Sequence, residues 1–117
     1  MPPRSAAAVD YQHLEVPLPL ATSERVGRNA SKVWSAIHTR LLYPSDEEPL
    51  PARYLEETLG LERAEVEEAI GELRELSLLE VGETETAGIV EYRLLWPDWI
   101  AEEGKRFLRE EVLYVED

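Results

Sequence analysis

The residues with the most chemistry in this chain are carboxylates. Glu62, Glu65, Glu67, Glu68 and Glu72 crowd one short stretch, with Glu75 just beyond. Carboxylates at such density offer acid–base catalysis, metal ligation or attraction for a basic surface. General acid–base catalysis needs a pair held in a cleft with separated pKa values. Glutamates spread over a helix surface supply no such pair. Asp46, Glu47 and Glu48 are consecutive, without the alternating oxygen-ligand spacing of a calcium loop. The 2 histidines, His13 and His38, with no cysteine, are too few for a zinc site. No Gly-rich phosphate loop, Ser/His/Asp or Cys/His set, or HExxH motif occurs. The expectation is a non-enzyme without cofactor or metal, whose acidic residues meet a partner.

The stretch that must present these groups runs from Leu50 to Val81. Pro51 suits a first helical position, where its missing N–H is no loss. Leu55 and Leu59 recur four apart on one face. Gly60 can take the left-handed conformation that closes a short helix. Val66, Ala69, Ile70, Leu73 and Leu76 then repeat as one buried stripe of a longer helix. Two helices joined by such a turn make a helix-turn-helix. Leu79–Val81 and Ile89–Leu95 read as two strands around the glycine-bounded loop 82–88, with Val90, Tyr92 and Leu94 on one face.

The pattern Leu59-Gly60-Leu61, Val66, Ala69-Ile70, Leu73, Leu76-Ser77-Leu78-Leu79 resembles the winged helix-turn-helix domains of transcription and phage-replication regulators. The resemblance covers residues 31–95. It implies an α+β, mostly α fold: three helices and a β-hairpin wing, with Leu50 in a short edge strand. In that family the pattern carries leucine-glycine-leucine where Leu76-Ser77-Leu78 stands here. DNA-reading relatives place Ser, Thr, Arg, Lys, Gln or Asn on the first turns of the long helix. The matching positions here are Glu62, Arg63, Glu65, Glu67 and Glu68, followed by Glu72 and Glu75. Relatives also put Lys or Arg on the wing, where this chain has Glu83 and Glu85.

Charge sharpens the departure. The chain carries 25 acidic and 12 basic residues, a net charge of −13. Its 21 Glu and 10 Arg outnumber 4 Asp and 2 Lys, a weak pointer to a GC-rich source. Residues 1–44 are net +2, residues 45–91 net −12 and residues 92–117 net −3. The helix-turn-helix and wing therefore hold nearly all the negative charge. Arg25, Arg28, Lys32 and Arg40 form the largest basic group, read either as a solvated surface or as a patch for phosphates or an acidic partner.

Around the central domain, residues 1–30 read as a flexible or extended arm. Leu14–Leu20, broken by Pro17 and Pro19, either covers the core or docks on a partner. Ser31 is the expected cap of a helix from Lys32 to Leu42, with Val33, Trp34, Ile37 and Leu41 inward. Residues 96–117 read as a C-terminal helix, capped by Asp98 and spanning Trp99 to Leu113. Its Trp99, Ile100, Phe107, Leu108 and Val112 form an expected dimer interface. Apolar runs are too short for a membrane span, and no apolar core marks a secretory leader. A cytoplasmic homodimer is expected.

Three functional readings follow. In the first, the acidic helix binds a basic surface on a transcription or nucleic-acid-processing machine and modulates or inhibits it, as a DNA mimic does. In the second, the chain is a DNA-binding regulator that uses Arg25, Arg28, Lys32 and Arg40, with Arg63 the one cation among the exposed positions of the long helix's first turns. The third is a structural or assembly subunit.

Overall fold

A central helix, α2 (Arg28–Leu42), is wrapped by everything else. Val33, Trp34, Ile37 and Leu41 on it are wholly buried, as their spacing requires. The computed structural model describes residues 18–44, 48–100 and 102–117. Expectations for the arm before Leu18, and for Asp46 and Glu47, lie outside the described residues. The fold is α+β. Besides α2 it has the helical turn α1 (Leu18–Ala21), α3 (Tyr54–Leu59), α4 (Arg63–Glu75) and a 3-10 helix at Glu102–Phe107. Strands β1 (Leu79–Glu83), β2 (Ile89–Leu94) and β3 (Val112–Glu116) form an antiparallel sheet in that order.

Helix α2 starts earlier than Ser31. Gly27 takes an extended conformation before it, at φ −62° and ψ 158°, and Ser31 is buried in the first turn, its N–H bonded to the Gly27 carbonyl at 2.9 Å. Trp34 anchors the helix to the sheet, its indole N–H donating to the Leu78 carbonyl at 3.1 Å. That bond satisfies the polar edge of a ring otherwise surrounded by apolar atoms. The segment Leu18–Leu20, expected to be extended, is helical, and Leu20 is 1% exposed.

Helix α3 ends at Gly60, at φ 65°, and the Leu61 N–H reaches back to the Glu56 carbonyl at 3.1 Å. After α4 the same device recurs with a non-glycine residue. Ser77 sits at φ 58°, while the Leu78 N–H donates to the Leu73 carbonyl at 2.8 Å. This turn sends the chain into β1, which pairs with β2 through Leu79↔Leu94 and Val81↔Tyr92.

The C-terminal helix expected over Trp99–Leu113 is replaced by the 3-10 helix and β3. Val112–Glu116 alternates: Leu113 and Val115 are buried, Tyr114 and Glu116 exposed. Period two with β-branched and aromatic residues suits a strand edge to edge with β2. Tyr92↔Leu113 and Val90↔Val115 face each other across that pair. The two-stranded wing is thus part of a three-stranded sheet. Leu50 adds a single parallel bridge on the far side of β3, its N–H on the Tyr114 carbonyl at 2.9 Å and its carbonyl receiving the Glu116 N–H at 2.8 Å.

The five residues expected to form one dimer face are accordingly dispersed. Ile100 is in the core, Val112 is in β3, and Trp99 and Leu108 pack partly buried against the core. Phe107 alone is largely exposed, at 70%. Asp98 lies in a turn and caps no helix.

Candidate acidic interaction face

Helix α4 divides its carboxylates between two directions. Val66, Ala69 and Leu73 are buried against α2, so residues 64, 67, 68, 71 and 75 turn outward. Glu67, Glu68 and Glu75 are exposed on that outward stripe, with Ala64 and Gly71 as small residues between them. Arg63 is held at 3.0 Å by Glu67, one turn away. The pair is solvated, worth only about 0.3–0.5 kcal/mol; it engages the cation at the start of α4, while Arg74 is exposed at its end.

Glu65 and Glu72 lie seven residues apart on the flank of α4 that meets the start of α2. The Glu72 carboxylate accepts the Gly27 N–H at 2.5 Å. Glu65 accepts the Glu62 N–H at 2.9 Å and the Asn29 amide at 3.4 Å. Both carboxylates lie near the start of α2, the positive end of its dipole; Glu72 accepts a backbone N–H there, and Glu65 holds the Asn29 side chain. A side chain at Gly27 would crowd this contact, because its Cβ would stand 3.0 Å from a Glu72 oxygen. Of the five glutamates the sequence singled out, Glu65 and Glu72 therefore hold the fold together. Glu67 and Glu68 face water, and Glu62, though exposed, caps α4 by accepting the Glu65 backbone N–H.

The hairpin continues the negative surface. Glu80, Glu83 and Glu85 are exposed. An open groove of about 560 Å³ beside the hairpin is lined by Glu48, Glu83, Glu85 and Glu91, with Ile89 and Tyr114 as apolar wall. Burial and the neighbouring Glu110 carboxylate push the Glu48 carboxyl above its ordinary range. Burial likewise raises the phenols of Tyr54 and Tyr92. Tyr114 was missed as a groove residue. The alternating run at the C-terminus was the signal for its outward direction.

The basic group does not assemble as one patch. Arg25 and Arg28 are exposed at the start of α2 and Lys32 is half-buried. Arg40 is 7% exposed and donates to the Tyr43 carbonyl at 3.1 Å. It lies about 18 Å along the helix from Arg28, at 1.5 Å per residue. No group of three or more metal-ligating side chains occurs among the described residues, and no helix among them is long and apolar enough to cross a membrane. Comparison with family models, curated proteins and solved structures gives no match.

Proposed function

We propose that this chain is a small acidic winged-helix protein that docks on a basic surface of a transcription or nucleic-acid-processing machine and modulates it. The order of elements supports the winged-helix part. Helix α2, the Leu50 bridge, α3, the Gly60 turn, α4 and the β1–β2 hairpin follow one another as in that family. Ser77 takes a left-handed conformation at the position where the family pattern has glycine.

The observation that carries the functional part is the outward stripe of α4, where Glu67, Glu68 and Glu75 are exposed and Arg63 is engaged by Glu67. A long helix of this kind enters the major groove between two phosphate strands. Each like-charge approach at about 4 Å costs about 1 kcal/mol even in water. Three or four of them offset much of the roughly 4–10 kcal/mol that separates specific from non-specific DNA binding. The same charges favour and steer a basic protein surface.

The test compares the full chain with an E67K/E68K variant. Both substitutions are on exposed side chains, so melting temperature should not move. Immobilised wild-type chain should retain a basic protein from extracts of its source cells that the variant does not, and retention should fall with added salt. Neither protein should shift duplex DNA in a mobility assay at physiological salt. Sequence-specific duplex binding lost on changing Glu68 would overturn the reading. A second reading, duplex binding through Arg25, Arg28 and Lys32, is favoured by the exposure of the two arginines together at one helix end. It predicts that alanine at those three positions abolishes a salt-sensitive shift that E67K/E68K leaves in place.

A further inference from the structure

The opposite end of α2 borders a second groove, of about 430 Å³, lined by His38, Leu42, Tyr43, Gly104, Phe107 and Arg109. Its flanks carry the most exposed large apolar side chains of the described residues, Phe107 at 70% and Tyr43 at 59%. A single exposed ring is ordinary; two at the rim of one groove form a patch of the kind that marks contact sites.

The floor is firm. His38 is buried with its ring 5.2 Å from Trp34 and 5.4 Å from Trp96, and the two indoles meet edge to face at 5.1 Å. Gly104 keeps the groove open, because a Cβ there would stand 3.3 Å from the Trp96 ring and 3.6 Å from His38 Nε2. The Arg109 N–H, bonded to the Leu41 carbonyl at 3.1 Å, fastens the segment after the 3-10 helix to the end of α2. A site that is already shaped loses little freedom on binding.

Charge selects the occupant. Lys105, Arg106 and Arg109 are all exposed, and no acidic residue interrupts positions 105–109. Of these, Arg109 lines the groove, while Lys105 lines a separate pocket beside Glu102 and Glu111. Arg109 is a cation at the rim in a chain of net charge −13. We infer that the groove docks a segment of a partner protein in which one aromatic or large aliphatic side chain is flanked by carboxylates. The apolar side chain enters between Tyr43 and Phe107 above Leu42 and Gly104, and a neighbouring carboxylate meets Arg109. A nucleic-acid strand shares the rings and the negative charge. However, it would run on past the groove across Glu102, Glu110 and Glu111, where its phosphates are repelled. A peptide of a few residues stops short of them. This site uses none of the α4 glutamates, so its test and that of the acidic face succeed or fail separately.

A peptide-display library selected on the full chain, and counter-selected on an F107S/R109E variant, tests the proposal. Enriched sequences should place Phe, Trp, Leu or Ile beside Glu or Asp. A synthetic peptide of the enriched sequence, followed by fluorescence polarisation, should lose at least tenfold in affinity with F107S alone and with R109E alone, and should weaken as salt rises. It should keep its affinity for E67K/E68K. Both altered side chains are exposed, and a thermal melt verifies that the variants fold. The proposal is overturned if nothing is enriched over the double variant, or if the enriched sequences are basic. It is equally overturned if the groove serves another occupant. That would appear as a fifteen-residue oligo-dT bound in a manner lost with F107S, or as a dimer in light scattering that F107S dissolves.

Discussion

The two ends of α2 are finished by opposite means. At its start, polar groups do the work: the Glu72 carboxylate receives the Gly27 N–H and Glu65 reaches Asn29. At its finish, rings do it: Trp34, His38 and Trp96 pack on one another, and Arg40 turns inward to the Tyr43 carbonyl. A helix start lacks acceptors and attracts negative charge, so an acidic neighbour is useful there. The same residue type one face further round α4 points into solvent. Composition alone does not separate the two kinds of glutamate; only the direction of each side chain does.

Five substitutions break or sharpen this contrast. Trp34→Ala removes the ring that joins α2 to the aromatic end and takes one of two donors from the Leu78 carbonyl. The Leu78 carbonyl keeps the Leu95 N–H at 3.0 Å as its remaining donor, so the loss of the buried ring dominates, at about 3–5 kcal/mol, read as a lowered urea midpoint by far-ultraviolet circular dichroism. At the polar end, Glu72→Ala should cost about 1–2 kcal/mol, the range of a lost helix cap with favourable dipole contact. Glu68→Ala should stay within about 0.5 kcal/mol of the parent. Equal losses for the two would erase the distinction between fold-holding and partner-facing glutamates.

Ser77→Gly acts on the turn that delivers the Leu78 carbonyl to Trp34. A left-handed φ strains any side chain, and glycine relieves it at some cost in unfolded-chain entropy, for a net gain of about 0.5–1 kcal/mol. A raised thermal midpoint checks it. The smallest effect belongs to Glu110→Gln. Glu110 raises the Glu48 pKa, so the ionised Glu48 is disfavoured in the fold at neutral pH. Removing the Glu110 charge should stabilise the protein slightly at pH 7, by less than about 0.5 kcal/mol given the solvent around both groups. Because the folded pKa is raised, the destabilisation is present above it and fades as pH falls toward the ordinary carboxylate range. The gain of the variant should therefore vanish in melts near pH 4.

The three longer helices and the β1–β2 hairpin were legible because their signals are local. Apolar residues three and four apart, and Gly60 after Leu59, need no knowledge of distant chain. Strand β3 was not legible as a strand, because its partner β2 lies well upstream and the apolar residues from Ile100 to Val112 also fit a loose helical count. Gly27 escaped notice as a helix start for a similar reason: its partner Glu72 is 45 residues away. Arg40 and Phe107 mislead in opposite senses. A cation expected on the surface found a carbonyl within reach, and a phenylalanine expected at an interface stands at the rim of a groove. For the acidic face, the sequence places the glutamates on one helix, while the division between inward and outward glutamates required the packing of α4 on α2.

The lone bridge at Leu50 has a consequence for crowding. Along an extended segment, successive residues point their N–H and C=O groups to alternate sides. Leu50 spends both of its groups on β3, and its neighbours on either side are Pro49 and Pro51. Neither has an N–H, and the Pro51 carbonyl is taken by the Tyr54 N–H at 3.0 Å, so a strand arriving from another molecule would find no donor at either. The margin of the sheet beyond β3 is thereby closed to further growth, and the protein can be concentrated without that margin seeding fibres.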